Sequence, residues 1–444
     1  MNIRILKAEE FAPKREMEYG TREQNEAVRS ILADVGENGD EALIRLTERF
    51  DRVRIAKLRV DEEESREAYR VVDEAFLTAL RRARDNIRAF HEKQKRTSWI
   101  DLQPDGSLLG QIVRPLRRVG VYVPGGTAAY PSSVLMNVIP AQVAGVREIA
   151  MVTPPASGGE AGINPHILVA AAEAGVTEIY RVGGAQAIAA LAFGTETIPP
   201  VDKICGPGNI YVALAKQMVY GVVDIDSIAG PTDIAVLAAG TADPAYVAAD
   251  MLSQAEHDVM AQAILVTDNE RLARDVREEL GRQLADLPRR HIAGQSLESR
   301  GAIILVRDLR EGAEVINRIA PEHLEILTSD PFALLPDIAN AGAIFLGPYS
   351  SEPVGDYFAG PNHILPTNGT ARFSSPLSVD DFVKKSSLIS YSRRALLDNG
   401  RDIMTLARHE GFEGHARAIR VRLERESELE SDPGSRIGEG KRES

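Results

Sequence analysis

From residue 148 to residue 349 one short phrase recurs: EIAMVTP (148–154), TEIYRVGG (177–184), VDKICGPG (201–208), DIAVLAAG (233–240), QAILVTD (262–268), AIILVRD (302–308), LEILTSD (324–330) and AIFLGPY (343–349). Each is an apolar, β-branched run of strand length closed by Gly, Pro, Asp or Ser, and helical stretches separate them. Strands that alternate with helices pair in parallel, because each helix carries the chain back across a face of the sheet. Helices on both faces also explain why the runs are apolar throughout and do not alternate. Eight such strands are too many for one compact half, so the fold class is α/β with two parallel sheets.

Upstream, residues 22–95 carry apolar positions three and four apart, as in EAVRSILADV (26–35) and EAFLTALRRARDNIRAF (74–90), which reads as amphipathic helices. Between Leu108 and Val123, β-branched and apolar residues punctuated by Gly110 and Gly120 read as a strand pair. Downstream, ERESELESDPGSRIGEGKRES (424–444) is charged and bears Gly and Ser, a composition that frays. The sequence has no short solenoid repeat.

At 444 residues the chain exceeds one ordinary hydrophobic core, so more than one folding unit is expected. Its 44% apolar and 26% charged residues fall in the globular range, and no apolar run reaches the roughly 18 residues of a membrane span. The net charge of -13 has the wrong sign for a general nucleic-acid or phosphoinositide binder. Arg114, Arg117 and Arg118 are too short a basic cluster to change that, and read as a solvated strand face. MNIRILKAEEF at the start is no secretory signal, and the lone Cys205 suits a reducing compartment, so a cytoplasmic location is expected. Cys205 ends an apolar stretch and reads as a buried thiol more readily than as a nucleophile.

Ligands of open α/β sheets gather where strands end and helices begin, which draws attention to Val123-Pro124-Gly125-Gly126, Val182-Gly183-Gly184-Ala185-Gln186 and Cys205-Gly206-Pro207-Gly208-Asn209. Each precedes a helix whose first N–H groups can receive a pyrophosphate. None completes G-x-G-x-x-G, since Tyr211 takes the third glycine position, and each taken alone is equally a tight turn. Gln254 and His257 lie three apart at the end of a helical segment and share a face; they suit zinc or manganese but are too few, and a solvated polar face has the same pattern. Pro321-Glu322-His323 sets a carboxylate beside an imidazole. Neighbours in a strand face opposite ways, so the two line one pocket only at a turn or helix start, and a polar surface loop is the other reading. There they would form an acid–base pair. The Gly- and Pro-rich segment 355–363 adds Asp356 and His363 on a fixed loop. Glu410 and His415 lie before and at the start of a helix, where a cation is disfavoured and a neutral imidazole is free for a metal; an exposed helix end is the alternative for His409 and His415. His91, His166 and His291 have no comparable setting.

The ordered series GVYVPGGTAAYPSSVLMN, VGGAQAIAALAFGT, KICGPGN, GPTD, SQAEHD, PEHLE, GDYFAGPNHILPT and EGFEGHARA resembles the histidinol dehydrogenase family over about residues 20–423. The resemblance implies two incomplete Rossmann-like domains, one inserted in the other, with small N- and C-terminal pieces exchanged in a homodimer whose site is shared between subunits. Expected bounds are an arm at 1–23, a metal-bearing and catalytic domain at 24–127 plus 233–377, an inserted NAD-binding domain at 128–232, and a helical piece with a charged tail at 378–444.

The same resemblance implies one Zn2+ per subunit held by Gln254, His257, Asp356 and His415. It implies His323 as general base, Glu322 as activator of water, and Tyr130, Gln186 and Asn209 as NAD contacts. Thr232, Gln254, His257, Glu322, His323, Asp356, His363, Glu410 and His415 would meet the substrate, L-histidinol. One departure is Thr232-Asp233, where the family often has Ser-Glu; threonine keeps the hydroxyl. The implied activity is NAD-dependent four-electron oxidation of L-histidinol through the aldehyde to L-histidine, the last steps of histidine biosynthesis. The rivals are a paralogous NAD-dependent dehydrogenase of another small alcohol such as a sulfonated diol, a zinc hydrolase without NAD, and a non-catalytic binding protein.

Overall fold

The computed structural model describes residues 3–12, 20–125, 129–156 and 162–431. Its strands are, in order, β1 (Arg4–Lys7), β2 (Trp99–Leu102), β3 (Leu108–Pro115), β4 (Arg118–Tyr122), β5 (Glu148–Thr153), β6 (Glu178–Arg181) and β7 (Lys203–Cys205). After these come β8 (Asp224–Ile225), β9 (Asp233–Ala238), β10 (Gln262–Thr267), β11 (Ala302–Leu305), β12 (His323–Leu327), β13 (Ala343–Leu346) and β14 (Val383–Ser390). The chain forms two units, one of Met1–Lys95 with Pro115–Val383 and one of Arg96–Arg114 with Lys384–Ser444.

The first unit holds the two parallel sheets that the sequence predicts. One has the order β6-β5-β4-β7-β8, the other β1-β11-β10-β9-β12-β13. Each of the recurrent runs supplies one strand. The order reverses direction at β4/β7 in the smaller sheet and at β9/β12 in the larger, and such reversals open a crevice between diverging loops. Both faces of each sheet are covered. Residues of the helices Pro131–Ala144 and Pro165–Glu173 fill one side of the smaller sheet, and those of Gly184–Phe193 and Ile210–Val219 the other. Pro244–Ala255 and Glu270–Leu284 cover one face of the larger sheet, and Leu309–Ile319 the opposite one.

Several starts are fixed locally. Asp243 accepts the Ala245 N–H (2.8 Å) ahead of Pro244, a proline at the helix's first position where no donor is needed. Asn209 accepts from Tyr211 and Val212 (3.0 and 3.2 Å) and so caps the helix after β7.

Several sequence readings need adjustment. The strands at 108–115 and 118–122 exist but do not pair with one another: β3 lies between β14 and β2, while β4 sits between β5 and β7. Every residue of β4 is buried, as a strand covered on both faces must be, whereas β3 is half exposed. The smaller sheet thus begins at Arg118, ahead of the expected bound at residue 128, and the helices Arg22–Asp51 and Glu74–Glu92 pack on it and not on the larger sheet. Residues 4–7, in the expected arm, are an edge strand of the larger sheet. Arg118 is not solvated: it is buried and donates to Glu178 (2.7 and 3.0 Å) and Glu148 (3.3 Å). Gly125 does not open a helix directly, since the next starts at Pro131; Gly126 lies outside the described residues. No helix among the described residues is long and apolar enough to cross a membrane.

In the second unit β2 pairs antiparallel with β3, and β14 flanks β3. The helices Arg393–His409 and Glu413–Ser431 pack closely at Gly400, where an added Cβ would sit 2.9 Å from the Leu423 side chain. Helix therefore extends to Ser431 through the first part of the charged tail; residues 432–444 lie outside the described residues.

Candidate active site

In the first unit a cavity of about 350 Å³ lies where the carboxyl ends of β4 and β7 approach the amino ends of β9 and β12. Pro124, Tyr130, Ser133 and Asn209 form its smaller-sheet wall, and Thr232, His257, Glu322, His323, Asp356 and His363 the other. In the smaller sheet the cavity lies at carboxyl strand ends; in the larger sheet the polar groups cluster at amino ends. A second cavity, of about 540 Å³, runs along the carboxyl edge of the smaller sheet past Gly125, Gly184, Gln186 and Asn209. Asn209 lines both cavities. Gly206 makes this loop possible: its φ is +109°, and a Cβ there would lie 2.1 Å from the Tyr122 carbonyl oxygen.

Glu322 and His323 line the cavity together. His323 is the first residue of β12 and Glu322 precedes it, so a strand start takes the place of the anticipated turn or helix start. Glu322 Oε2 accepts from the Thr232 hydroxyl (2.5 Å) and the Asp233 N–H (3.1 Å), while its own N–H donates to Asp233 Oδ1 (2.9 Å). Burial raises the Glu322 carboxyl above its usual pKa, partly offset by the neighbouring imidazole. Burial, then the charge of Glu322, raises Asp233 to about 7. Burial alone would lower His323, but Glu322 and Asp356 override it and raise the imidazole to about 10. His323 Nε2 lies 3.6 Å from Asp356 Oδ1.

Asp356 stands on the short helix Glu352–Tyr357 and not on a loop. His363 follows in irregular chain, with Nδ1 3.0 Å from the Asp356 main-chain oxygen and Nε2 3.3 Å from Ser133 Oγ. Gln254 belongs to the last turn of Pro244–Ala255, and His257 lies just beyond it, so they do not share a regular helix face. A turn bond from the His257 N–H to the Gln254 carbonyl (3.3 Å) keeps them near. Desolvation holds His257 below its usual pKa against the pull of Asp356.

Gln254 offers the test of whether a metal suits these residues. It is fully buried, its Nε2 donates to Thr232 Oγ1 (2.5 Å), and its Oε1 has no hydrogen-bond partner among the described residues. A buried amide oxygen without a donor is costly unless something electropositive meets it. His323, Glu352 and Asp356 also hold ligand atoms within 4.8 Å of one another. Nitrogen and oxygen donors around Asp356 fit zinc or manganese. Glu410 and His415 belong to the second unit, where both are exposed and the His415 ring stacks on Phe412 (5.1 Å).

Other groups were not legible as site residues. Ser133 and Glu352 carry no local signal. Lys216 and Asp226, both on the cavity wall, form a buried ion pair in which Lys216 also donates to the Gly206 carbonyl (3.0 Å). Asp226 accepts from the Gly206 N–H (2.7 Å), so the pair holds the turn ahead of Asn209. Cys205 is buried in the strand before that turn, as its apolar setting suggests.

The chain has sequence and structural relatives over most of its length. A profile of the histidinol dehydrogenase family matches residues 14–423. The histidinol dehydrogenase of Halalkalibacterium halodurans is 60% identical over 413 residues, which is 93% of this chain and 97% of the relative. That of Bacillus subtilis is 57% identical over 426 residues, 96% of this chain and 99% of the relative. The crystal structure of the Elizabethkingia anophelis histidinol dehydrogenase superposes with a TM-score of 0.89 at 38% identity, covering 93% of this chain and 95% of that one.

Proposed function

The chain belongs to the histidinol dehydrogenase family, and from that premise we propose that it oxidises L-histidinol to L-histidine with the residues of the 350 Å³ cavity. It is a zinc- and NAD-dependent oxidoreductase of histidine biosynthesis. The relatives described above give no support to a sulfonated-diol dehydrogenase, a hydrolase or a binding protein. The observation that carries the residue roles is that Glu322, His323, His257, Asp356 and Thr232, scattered over 125 positions (232–356), line one cavity.

Gln254, His257 and Asp356 would hold the zinc, with His415 as fourth ligand. When bound, zinc supplies positive charge and fixes the substrate's orientation without redox chemistry, and NAD supplies the hydride acceptor. The chain's own part is proton transfer and positioning. In the first step the alcohol loses its hydroxyl proton to His323 Nε2 as a hydride leaves carbon, giving the aldehyde. In the second, Glu322 takes a proton from water as its oxygen adds to the aldehyde carbon. His323 returns the proton of the first step to the carbonyl oxygen, and the resulting hydrate loses a proton to His323 and a second hydride, which a second NAD would accept, giving the carboxylic acid. His323 must be neutral to do this, and the carboxylates facing it hold it protonated; a cation on Asp356 would offset that charge and free Nε2. Tyr130 and Asn209 on the catalytic cavity and Gln186 on the second would meet NAD along its length.

A homodimer in which His415 completes the partner's site, and a cytoplasmic setting, belong to the same proposal. The exchanged domain layout does too; the strand pairings support a smaller parallel sheet inserted in the sequence of the larger. The deciding experiment is the yield of NADH per L-histidinol consumed. Two per substrate is expected, with L-histidine as product; one per substrate, stopping at the aldehyde, rejects the reading.

A further inference from the structure

The second cavity has two walls of different origin. The carboxyl ends of the smaller sheet supply one, with Gly184, Gln186 and Asn209; the end of the long helix Arg22–Asp51 supplies the other, with Phe50 and Asp51. Asp51 is its last residue, and Arg52 turns the chain away with φ 58°. The Asp51 Oδ2 is buried and has no hydrogen-bond partner among the described residues. A buried carboxylate oxygen in that state lacks the donors that would offset its desolvation. The other charged groups on this wall are otherwise engaged: Asp34 accepts from Arg45 (2.7 Å), and the Arg49 guanidinium lies over the Phe50 ring at 5.1 Å. Burial alone lifts Asp51 to a pKa of about 6, so at neutral pH it is mostly ionised and acts only as an acceptor.

A dinucleotide reaching from the catalytic cavity past Asn209 brings its adenosine half here, because the hydride-accepting ring must stay beside His323. The donors on that half are the adenine 6-amino group and the ribose hydroxyls, and the 2′-hydroxyl is the one that an acidic residue takes in dinucleotide-binding folds. We propose that Asp51 accepts a hydrogen bond from the 2′-hydroxyl of the adenosine ribose of NAD, and that its charge rejects the 2′-phosphate of NADP. An acidic residue plays this part in dinucleotide-binding folds from the end of a sheet strand. Here it comes from a helix that precedes the sheet in sequence. The proposal rests on the reading that this cavity takes NAD.

The test is steady-state oxidation of saturating L-histidinol with NAD, NADP and 2′-deoxy-NAD by the unmodified enzyme, Asp51→Asn and Gln186→Ala. On the unmodified enzyme 2′-deoxy-NAD should have a KM about tenfold or more above that of NAD, the loss expected for a hydrogen bond to a charged acceptor. Asp51→Asn, which keeps the side chain's shape, should raise the KM for NAD similarly and leave kcat near its original value. It should also cut the preference for NAD over NADP at least tenfold and make NAD and 2′-deoxy-NAD nearly equivalent. Equal KM values for NAD and 2′-deoxy-NAD on the unmodified enzyme overturn the proposal whatever the variants do. An unchanged NAD preference in Asp51→Asn, with a raised KM for NAD in Gln186→Ala, overturns the role of Asp51 and keeps the cavity as the NAD site. If neither variant alters that KM, the reading of the cavity fails and the proposal with it.

Discussion

His323 Nδ1 lies 3.1 Å from the main-chain oxygen of Asp233, ninety positions upstream. A carbonyl only accepts, so Nδ1 carries the proton and the neutral ring presents a bare Nε2. That nitrogen has no hydrogen-bond partner among the described residues and faces Asp356 at 3.6 Å. The backbone of β9 therefore selects the tautomer that can accept a substrate proton.

Removing this base should slow both oxidations. His323→Asn is expected to lower kcat about a hundredfold or more whether alcohol or aldehyde is supplied. Glu322→Gln should spare the alcohol step and impair the aldehyde step, because only the second requires water. Single-turnover NADH formation from each substrate separates the two, and an equal loss on both in Glu322→Gln rejects a role confined to water.

Gln254 Oε1 is a buried acceptor without a hydrogen-bond partner among the described residues, so Gln254→Ala should reduce bound metal more than it reduces folding. Exhaustive chelation should abolish turnover, and zinc or manganese should restore it. Metal per chain by elemental analysis, beside the NADH rate, gives the readout; full activity in metal-free protein removes the metal from the reaction.

His415 lies on the second unit, and its proposed partner site lies on another chain. A dimer combining His257→Ala and His415→Ala chains would then hold one site with both lesions and one with neither. Random pairing of equal amounts leaves about one quarter of the original activity after joint unfolding and refolding. A mixture as inactive as each variant refolded alone, with mixed dimers verified by mass, puts all the ligands on one chain.

Lys216 and Asp226 are almost wholly buried, and a buried charge that loses its partner is strongly destabilising. Lys216→Met should cost about 3–5 kcal/mol in urea unfolding of the first unit. Adding Asp226→Leu should recover part of that loss. A double variant weaker than Lys216→Met by the full effect of Asp226→Leu would show that the two charges do not act as a pair.

What the sequence makes legible is local. The eight recurrent runs became parallel strands because apolar, β-branched segments of that length must be buried on both faces. Asp243-Pro244 and Asn209 mark helix starts through bonds that span two or three residues. Glu322 and His323 were readable as a reactive pair because they are adjacent, and the metal set and NAD contacts came from the ordered series of motifs and not from spacing.

Periodicity says that a strand is buried but not beside which neighbour, and so β3 and β4 read as a pair although they belong to different sheets. The same limit hides the groups whose partners are far along the chain. Asp233 fixes the His323 tautomer from ninety residues away, Arg118 is buried because Glu178 meets it, and Asp51 and Gln186 line one cavity from opposite walls. Local sequence determined the elements and the reactive side chains of this protein. Only the tertiary structure decided the tautomer, the pKa shifts and the cavities, because each depends on burial and charge contributed by residues that chain folding alone brings together.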